Sequence, residues 1–170
     1  GAVANQGASL DEVIRVAQKT IDSCRSVGVG LSACTIPANG KPNFPIEEGK
    51  VEFGIGHHGE PGIEVTDLKS ASLIAKRMVN LLLDDYDFKD MVLVLVSGLG
   101  STPLMEQYIF YNEVVSLLEE KNLNVAKSYV GNYFTSLEMN GITLTIMQLD
   151  DELESLIDVP VKTMFLKGDL

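Results

Sequence analysis

The chain has 170 residues, a length that suits one domain with a single hydrophobic core, and 45% of its residues are hydrophobic. Acidic residues outnumber basic ones by 24 to 13, and the resulting net charge of −11 argues against binding to nucleic acid or to anionic membranes. No stretch is long and apolar enough to span a bilayer, and the N-terminus lacks the features of a signal peptide. Cys24 and Cys34 form neither a metal motif nor a disulfide framework, so we expect reduced thiols in a cytoplasmic protein.

The first third of the chain predicts one helix followed by extended segments. Ser9 and Glu12 fit a capping box, in which the serine accepts a backbone N–H and the glutamate reaches back. Apolar residues at helical spacing then predict a helix over residues 10–27, ended by Gly28. The next predicted segments are a strand over residues 29–33, a loop over 35–49 and an extended stretch over 51–56.

The remainder of the chain alternates helices with strands. Glu-Pro-Gly at residues 60–62 predicts a turn, and the apolar run at 91–96 predicts a central strand. Thr102 and Pro103 have the residue types of an N-cap and a first helical position. Alternation at residues 142–146 predicts a strand with one buried and one more polar face. The other predicted elements are helices over 67–84, 103–121 and 151–157 and strands over 125–130 and 161–166.

This order of elements predicts an α/β fold. We expect a single two-layer domain over residues 1–170, with a mixed sheet of about six strands. The late strands are joined by short connections, which favours some antiparallel pairing among them.

The most unusual segment, GIGHHGEPG at residues 54–62, contains both histidines, His57 and His58. Its glycines formally match a dinucleotide-binding pattern, but the next predicted helix begins too late for its N-terminus to meet a pyrophosphate. Adjacent histidines in an extended segment point to opposite sides and cannot easily share a metal ion. A neutral imidazole could instead add to an activated ketone, with Glu60 orienting the ring. On residue chemistry alone, an ordinary hydrogen-bonded loop histidine is the commoner case.

A second candidate site is SGLGSTP at residues 97–103, between a predicted strand and a predicted helix. Backbone amides at a helix N-terminus can bind anions, but the segment lacks the Gly-Lys-Ser or Gly-Lys-Thr ending of a P-loop. A tight strand-to-helix turn is therefore the favoured interpretation.

Four segments, in this order, resemble the dihydroxyacetone kinase family in its dihydroxyacetone-binding subunit. The resemblance implies that the chain has the fold of the second domain of that subunit. It also implies that the N-terminal domain, with its acid–base and substrate-positioning residues, is missing from these 170 residues. The matching segments are VGVGLSACTIPANGKP at 27–42, GIGHHGEPG at 54–62, SGLGSTP at 97–103 and GNYFTSLEMNGITLTIM at 131–147.

The resemblance also implies a mechanism. His58 matches the catalytic histidine that binds the ketone carbon of dihydroxyacetone covalently, and Gly59 beside it belongs to the same substrate-binding segment. His57 takes a position that is commonly apolar in the family. The implied partner is a separate nucleotide-carrying subunit, recharged through the phosphoenolpyruvate phosphotransferase system, so ADP or ATP and Mg²⁺ are expected there and no cofactor on this chain. A homodimer is also implied, and the chain alone is expected to show little turnover.

The alternative function is regulatory. The family includes non-catalytic relatives that sense dihydroxyacetone and act as co-activators of a transcription regulator, without contacting nucleic acid themselves. The departure near the C-terminus motivates this alternative: DVPVKTMFL at residues 158–166 replaces the usual C-terminal segment. Ser97, which replaces a usual Asn, is a further departure from the family pattern.

Overall fold

The structure, a computed structural model, describes residues 1–42, 46–56, 61–161 and 163. The helices in these ranges are α1 (Ala2–Asn5), α2 (Leu10–Asp22), α3 (Ala71–Asp85), α4 (Leu104–Glu119) and α5 (Asp151–Ile157). The strands are β1 (Cys24–Gly30), β2 (Thr35–Ile36), β3 (Lys41–Pro42), β4 (Lys50–Phe53), β5 (Glu64–Asp67), β6 (Met91–Gly98), β7 (Asn124–Gly131) and β8 (Gly141–Gln148).

Six of the strands form one mixed sheet in the order β5-β4-β1-β8-β6-β7. Strand β8 is antiparallel to both β1 and β6, whereas β6 and β7 are parallel and are joined through α4. The predicted α/β class and the six-stranded mixed sheet are therefore confirmed. The late strands β7 and β8 are not neighbours, however, and the antiparallel partners of β8 are the earlier strands β1 and β6. Strands β2 and β3 form a separate small hairpin inside the segment predicted to be a loop.

Helices pack on both faces of the sheet. On one face, α3 and α4 cover the larger core, which contains the buried side chains of Val92, Val94 and Val96. On the other face, α1, α2 and α5 cover only part of the sheet, around Leu93 and Met147. These helices form a third layer in addition to the two that were predicted. They do not cover the remaining part of that face of the sheet. Within the described ranges, no helix is long and apolar enough to cross a membrane.

The prediction of a helix through residue 27 was wrong beyond Asp22. Residues 24–30 form β1, which pairs with β8 at seven consecutive positions, and Gly28 lies within this strand instead of ending a helix. Val27 and Val29 alternate with residues that face the other side of the sheet. This period of two fits a strand, although the apolar residues up to Val27 also fit the spacing of a helix. Pairing with a distant strand decided between them, because each ladder hydrogen bond requires the extended conformation.

Two other boundaries also differ from the predictions. The helix predicted from residue 67 begins at Ala71, and residues 64–67 form β5. Pro103, not Thr102, is the N-cap of α4, because the Thr102 hydroxyl is hydrogen-bonded to the backbone of Gly141. Most of the predicted strand over residues 161–166 lies outside the described residues. Helix α5 and the strands predicted over 91–96, 125–130 and 142–146 are confirmed.

A network of ion pairs joins α2 to α5. The Ser9 hydroxyl caps α2 by accepting a hydrogen bond from Glu12 N at 3.3 Å, as predicted. The Glu12 carboxylate does not reach back; instead it pairs with Arg15 at 2.7 Å. Arg15 also pairs with Glu152 of α5, and Lys19 pairs with Glu152 at 2.5 Å. Hydrogen bonds and charge from Arg15 and Lys19 hold the pKa of Glu152 at about 2, below its ordinary 4.5.

Replacing Glu152 with Gln should make the free energy of unfolding less dependent on pH between about 4.5 and 2. The pKa of Glu152 is depressed in the folded chain, so its contribution is complete above pH 4.5 and is lost as the pH falls toward about 2. Urea unfolding at several pH values in this window measures the effect, which high salt should weaken because these groups are exposed. Glu154→Gln removes the same charge from α5 without removing an ion pair seen among the described residues. Equal pH profiles for the two variants would contradict the prediction.

Candidate functional site

The predicted site residues His57, His58, Gly59 and Glu60 lie outside the residues that the structure describes. Both flanks of this segment are described. The contacts of residues 54–56 on one side and 61–62 on the other determine where the two ends of the segment lie. We call residues 54–62 the histidine loop; His58 is its fifth residue and stands at its midpoint in the sequence.

The base of the histidine loop is closed by strands β4 and β5. These strands pair antiparallel up to Phe53 opposite Glu64, and Ile63 N donates to Phe53 O at 2.8 Å. One step further into the loop, Gly62 N donates to Oε1 of Glu52 at 2.6 Å. A Cβ on Gly62 would collide with Phe53 O, so glycine is required at this close approach. The backbone of Gly62 is thus fixed, whereas Glu60, the first residue of the predicted turn, lies outside the described residues.

Glu52 was not identified from the sequence as part of the site, yet its carboxylate holds one end of the histidine loop. Replacing Glu52 with Ala should lower the free energy of unfolding by about 1 kcal/mol, because a charge-assisted hydrogen bond to a backbone amide is lost. Hydrogen exchange at the Gly62 amide should become faster. Glu48→Ala removes an exposed carboxylate four residues earlier and serves as the control. Unchanged exchange at Gly62 would show that Glu52 does not close the loop.

The other end of the histidine loop lies on a strip of β1 that has no side chains. Val27 and Val29 point into the larger core, so Gly28 and Gly30 face the opposite side of the sheet. Ile55 occupies this strip: a Cβ on Gly28 would lie 3.2 Å from Ile55 O, and a Cβ on Gly30 would collide with Ile55 Cδ1. The Val-Gly-Val-Gly pattern therefore builds a core on one face and a seat for the loop on the other.

Gly54 allows the chain to turn from β4 onto this strip. Its φ is +77°, in the left-handed region that favours glycine, and its N–H donates to Gly28 O at 2.7 Å. The same face carries hydroxyl groups: Thr143 Oγ1 lies 3.7 Å from the position of a Cβ on Gly28, and Ser26 Oγ is 2.7 Å from Thr145 Oγ1. The more polar face predicted for β8 is thus the face next to the loop.

The second candidate, the SGLGSTP segment, is a turn whose amides already have partners in the protein. Leu99 N donates to Gly141 O at 3.0 Å, Gly100 N to Thr135 Oγ1 at 2.7 Å and Ser101 N to Met139 O at 3.0 Å. These three donors attach the turn to residues 135–141, which belong to the fourth family-like segment. The structure therefore supports the tight-turn interpretation.

Buried polar side chains complete this attachment. Ser97, which is fully buried, accepts from Phe134 N at 2.8 Å and donates to Phe134 O at 3.0 Å. Gln107 Nε2 donates to Asn132 Oδ1 at 2.7 Å. Sequence reasoning missed Gln107, although its spacing was informative: it shares the buried stripe of α4 with Phe110, three residues later.

Hydrogen bonds also join the first family-like segment to the fourth. Leu31 N donates to Asn140 O at 2.7 Å, and Asn140 N donates to Ser32 Oγ at 2.8 Å. The Glu138 carboxylate accepts from Thr35 N. Since the first segment contains the strip that seats Ile55, the four segments form one connected unit around the strand ends.

Burial shifts the pKa of two other side chains among the described residues. It raises the pKa of the Cys24 thiol and the pKa of the Tyr133 hydroxyl. The Cys24 thiol is therefore poorly suited to act as a nucleophile near neutral pH. Among the described residues, no three His, Cys, Asp or Glu side chains come close enough together to hold a metal ion.

Comparison with known proteins gives a consistent result over almost the whole chain. A family model described as the Dak1 domain matches residues 1–165. The chain is 42% identical over 167 residues to the PTS-dependent dihydroxyacetone kinase 1, dihydroxyacetone-binding subunit DhaK, of Listeria innocua, in an alignment that covers 96% of this chain and 51% of that protein. It is 39% identical to the DhaKLM operon coactivator DhaQ of Lactococcus lactis, with 89% of this chain and 47% of that protein covered.

Structural comparison agrees. The solved structure named dihydroxyacetone kinase operon co-activator Dha-DhaQ superposes with a TM-score of 0.86 at 36% identity, over 93% of this chain and 50% of that chain. The chain spans about half the length of the relatives it matches.

Proposed function

Because the chain belongs to the Dak1 domain family, we propose that it is the histidine-bearing part of a dihydroxyacetone-binding kinase subunit. In this proposal His58 captures the substrate and Gly59 contributes to the same binding segment. The observation that carries the proposal is the 42% identity to a dihydroxyacetone-binding subunit, in a chain whose GIGHHGEPG segment keeps the family motif around His58.

The proposed step is the addition of a neutral imidazole to a ketone. The lone pair of one ring nitrogen of His58 attacks the carbonyl carbon, so a C–N bond forms and the C=O double bond becomes single. The carbonyl oxygen gains a proton, and the proton on the other ring nitrogen is released, which leaves a neutral hemiaminal. Glycerol has no electrophilic carbon and cannot react in this way, so the step selects a ketone over the corresponding alcohol.

The geometry of the loop ends supports this role. Covalent capture requires that the nucleophile be held against a substrate of only three carbons, and the precision of such a site depends on the rigidity of its supports. At one end of the histidine loop the Glu52 carboxylate accepts from Gly62 N and Ile63 N donates to Phe53 O, and at the other end Ile55 lies against β1. Both ends are thus attached to hydrogen-bonded strands of the sheet.

The phosphoryl group would come from elsewhere. We propose a PTS-dependent assembly, as the name of the Listeria relative indicates for that protein, in which a separate nucleotide-carrying subunit transfers the phosphoryl group to the captured ketone. We also propose that the chain associates with itself. The part of the relatives that these 170 residues do not cover would supply acid–base and positioning groups.

Native mass spectrometry tests the proposed capture. The chain incubated with dihydroxyacetone should gain the mass of one substrate molecule, and the gain should reverse on removal of the ketone. Incubation with glycerol should give no adduct. An unmodified mass at saturating dihydroxyacetone would contradict the assignment.

A second candidate function is a dihydroxyacetone-responsive co-activator. It is favoured by one observation: the coactivator DhaQ is 39% identical to the chain, nearly as similar as the kinase subunit at 42%. Both functions would use the same ketone capture, so the adduct does not separate them. Reconstitution of the full-length subunit with the nucleotide-carrying subunit does: phosphorylation of dihydroxyacetone would exclude a purely regulatory role, and capture without turnover would favour it.

A further inference from the structure

A cavity of about 250 Å³ lies between the N-terminal halves of α3 and α4, at the edge of the larger core. Val29 and Ile142 line it from the sheet, and Ile74 and Phe110 line it from the two helices. Ile109 also lines the cavity and is half exposed, so the cavity opens to solvent. Pockets for drug-sized ligands run to about 300–1,000 Å³, so a cavity of this size and lining suits a small molecule with an apolar body.

Two opposite charges are the available polar groups of this cavity. Its described polar side chains are Lys69, Thr102 and Glu106. The Thr102 hydroxyl already donates to Gly141 O at 2.7 Å and accepts from Gly141 N at 2.9 Å. Lys69 and Glu106 are exposed, and neither makes an ion pair with the other or with any residue in the described part of the chain. The cavity therefore presents one cation and one anion to a ligand.

The surrounding charges leave Lys69 and Glu106 available. Asp67, two residues before Lys69, is paired with Lys50 at 2.7 Å, and the hydrogen bond from Lys50 is the main cause that lowers the pKa of Asp67. A pair formed between two exposed side chains is worth little in water, because each side chain must give up conformational freedom. A ligand that brings both opposite charges to the cavity at once can therefore compete with solvent for Lys69 and Glu106.

The cavity is separate from the place proposed for ketone capture. Val29 of β1 lines the cavity, whereas Gly28 and Gly30 face the other side of the sheet, where Ile55 of the histidine loop lies. A ligand in the cavity and a ketone at the histidine loop would thus lie on opposite faces of β1.

We infer that the cavity between α3 and α4 binds a small zwitterion with an apolar body, and that α-amino acids with an aliphatic side chain are the matching class. The aliphatic side chain lies against the apolar wall, the carboxylate pairs with Lys69 and the ammonium pairs with Glu106. A simple acid or amine fits less well, because it satisfies one of the two charges and faces the other with a charge of the same sign. The inference does not rest on the proposed ketone chemistry.

Saturation-transfer NMR titrations of the full-length subunit test the class of ligand. Leucine is compared with isocaproate, which lacks only the ammonium group, with isoamylamine, which lacks only the carboxylate, and with glycine, which lacks the apolar side chain. Leucine should bind at least about 10-fold more tightly than each of the three, because each lacks one of the proposed contacts. Its methyl protons should receive the strongest saturation, since they lie against the apolar wall.

Crossed pairs of variants and ligands test the role of each charge. Lys69→Gln should weaken leucine about 10-fold without weakening isoamylamine, which has no carboxylate. Glu106→Gln should weaken leucine by a similar factor without weakening isocaproate, which has no ammonium group. Lys76→Gln removes an exposed lysine of α3 that does not line the cavity, and it should leave the affinity for leucine unchanged. Thermal unfolding verifies that each variant is folded.

Three results would overturn the inference: no saturation of leucine at about 20 mM, a concentration that detects even a weak small ligand, equal affinities for leucine and its one-charge analogues, or displacement of leucine by dihydroxyacetone. The last result would place leucine at the histidine loop. The His58→Ala variant should bind leucine as the wild type does, so failure of the leucine site and failure of the proposed ketone capture are distinguishable.

Discussion

Replacing His58 with Ala should abolish the dihydroxyacetone adduct, whereas replacing His57 with Ala should leave it in place. The imidazole of His58 supplies the only atom that forms a bond to the substrate in the proposed step, so no fraction of the adduct should survive without it. His57 is the matched control, because it is the neighbouring residue of the same type in the same glycine-rich segment. Native mass spectrometry at saturating dihydroxyacetone measures both variants.

The same measurement gives an independent check through pH. A protonated imidazole has no lone pair on either ring nitrogen, so the adduct of the wild-type chain should decrease as the solution becomes acidic. An undiminished adduct in His58→Ala, together with its loss in His57→Ala, would transfer the catalytic role to His57. An undiminished adduct in both variants would place the modification on another nucleophile and remove the basis of the proposal.

Replacing Gly100 with Ala should strongly destabilise the fold. The φ of Gly100 is +57°, and a Cβ there would lie 2.5 Å from Leu137 O and 2.8 Å from Ser136 O. These are backbone atoms, which cannot rotate away as a flexible side chain can. The left-handed conformation costs about 1–2 kcal/mol for alanine, and the overpacking adds about 1–3 kcal/mol. We therefore expect a loss of about 2–5 kcal/mol in the free energy of unfolding, measured by urea denaturation.

Gly7 provides the control for this substitution. Its φ is +80°, but no atom lies within 4 Å of the position of its Cβ. Gly7→Ala therefore carries the conformational cost without the collision and should lose only about 1–2 kcal/mol. Equal losses in the two variants would mean that the loop near Leu137 moves aside freely and does not hold the turn. The comparison thus measures how firmly residues 131–141 are packed against the end of β6.

The errors in predicting the elements had one physical cause. Residues 24–27 continue an apolar spacing that fits a helix, and only the pairing of β1 with β8, more than one hundred residues away, selects the strand. Residues 64–67 carry no clear alternation, and they form β5 because β4 lies beside them. Local patterns cannot include such partners, since the hydrogen bonds of a strand are made to residues that are distant in sequence.

Elements with a strong local signal were predicted well. Helix α5 begins after Asp150, whose carboxylate accepts from Leu153 N at 2.9 Å, and its predicted range of 151–157 matches the structure. The apolar run that forms β6 and the alternation that forms β8 were also recognised, because burial on two faces or on one face leaves its own period in the sequence.

The sequence by itself determined which residue is the candidate nucleophile, because His58 is identified by its neighbours in the chain and by family-like motifs in a fixed order. It also determined the α/β class, through the alternation of helical and extended segments. Only the tertiary structure explains why particular residues are needed in the motifs. Gly28 and Gly30 leave space for Ile55. The Glu52 carboxylate holds the end of the histidine loop, and Gly100 allows the backbone of Leu137 to approach closely. The reason is that these contacts join backbone segments distant in sequence, and their close approach is a property of packing in three dimensions.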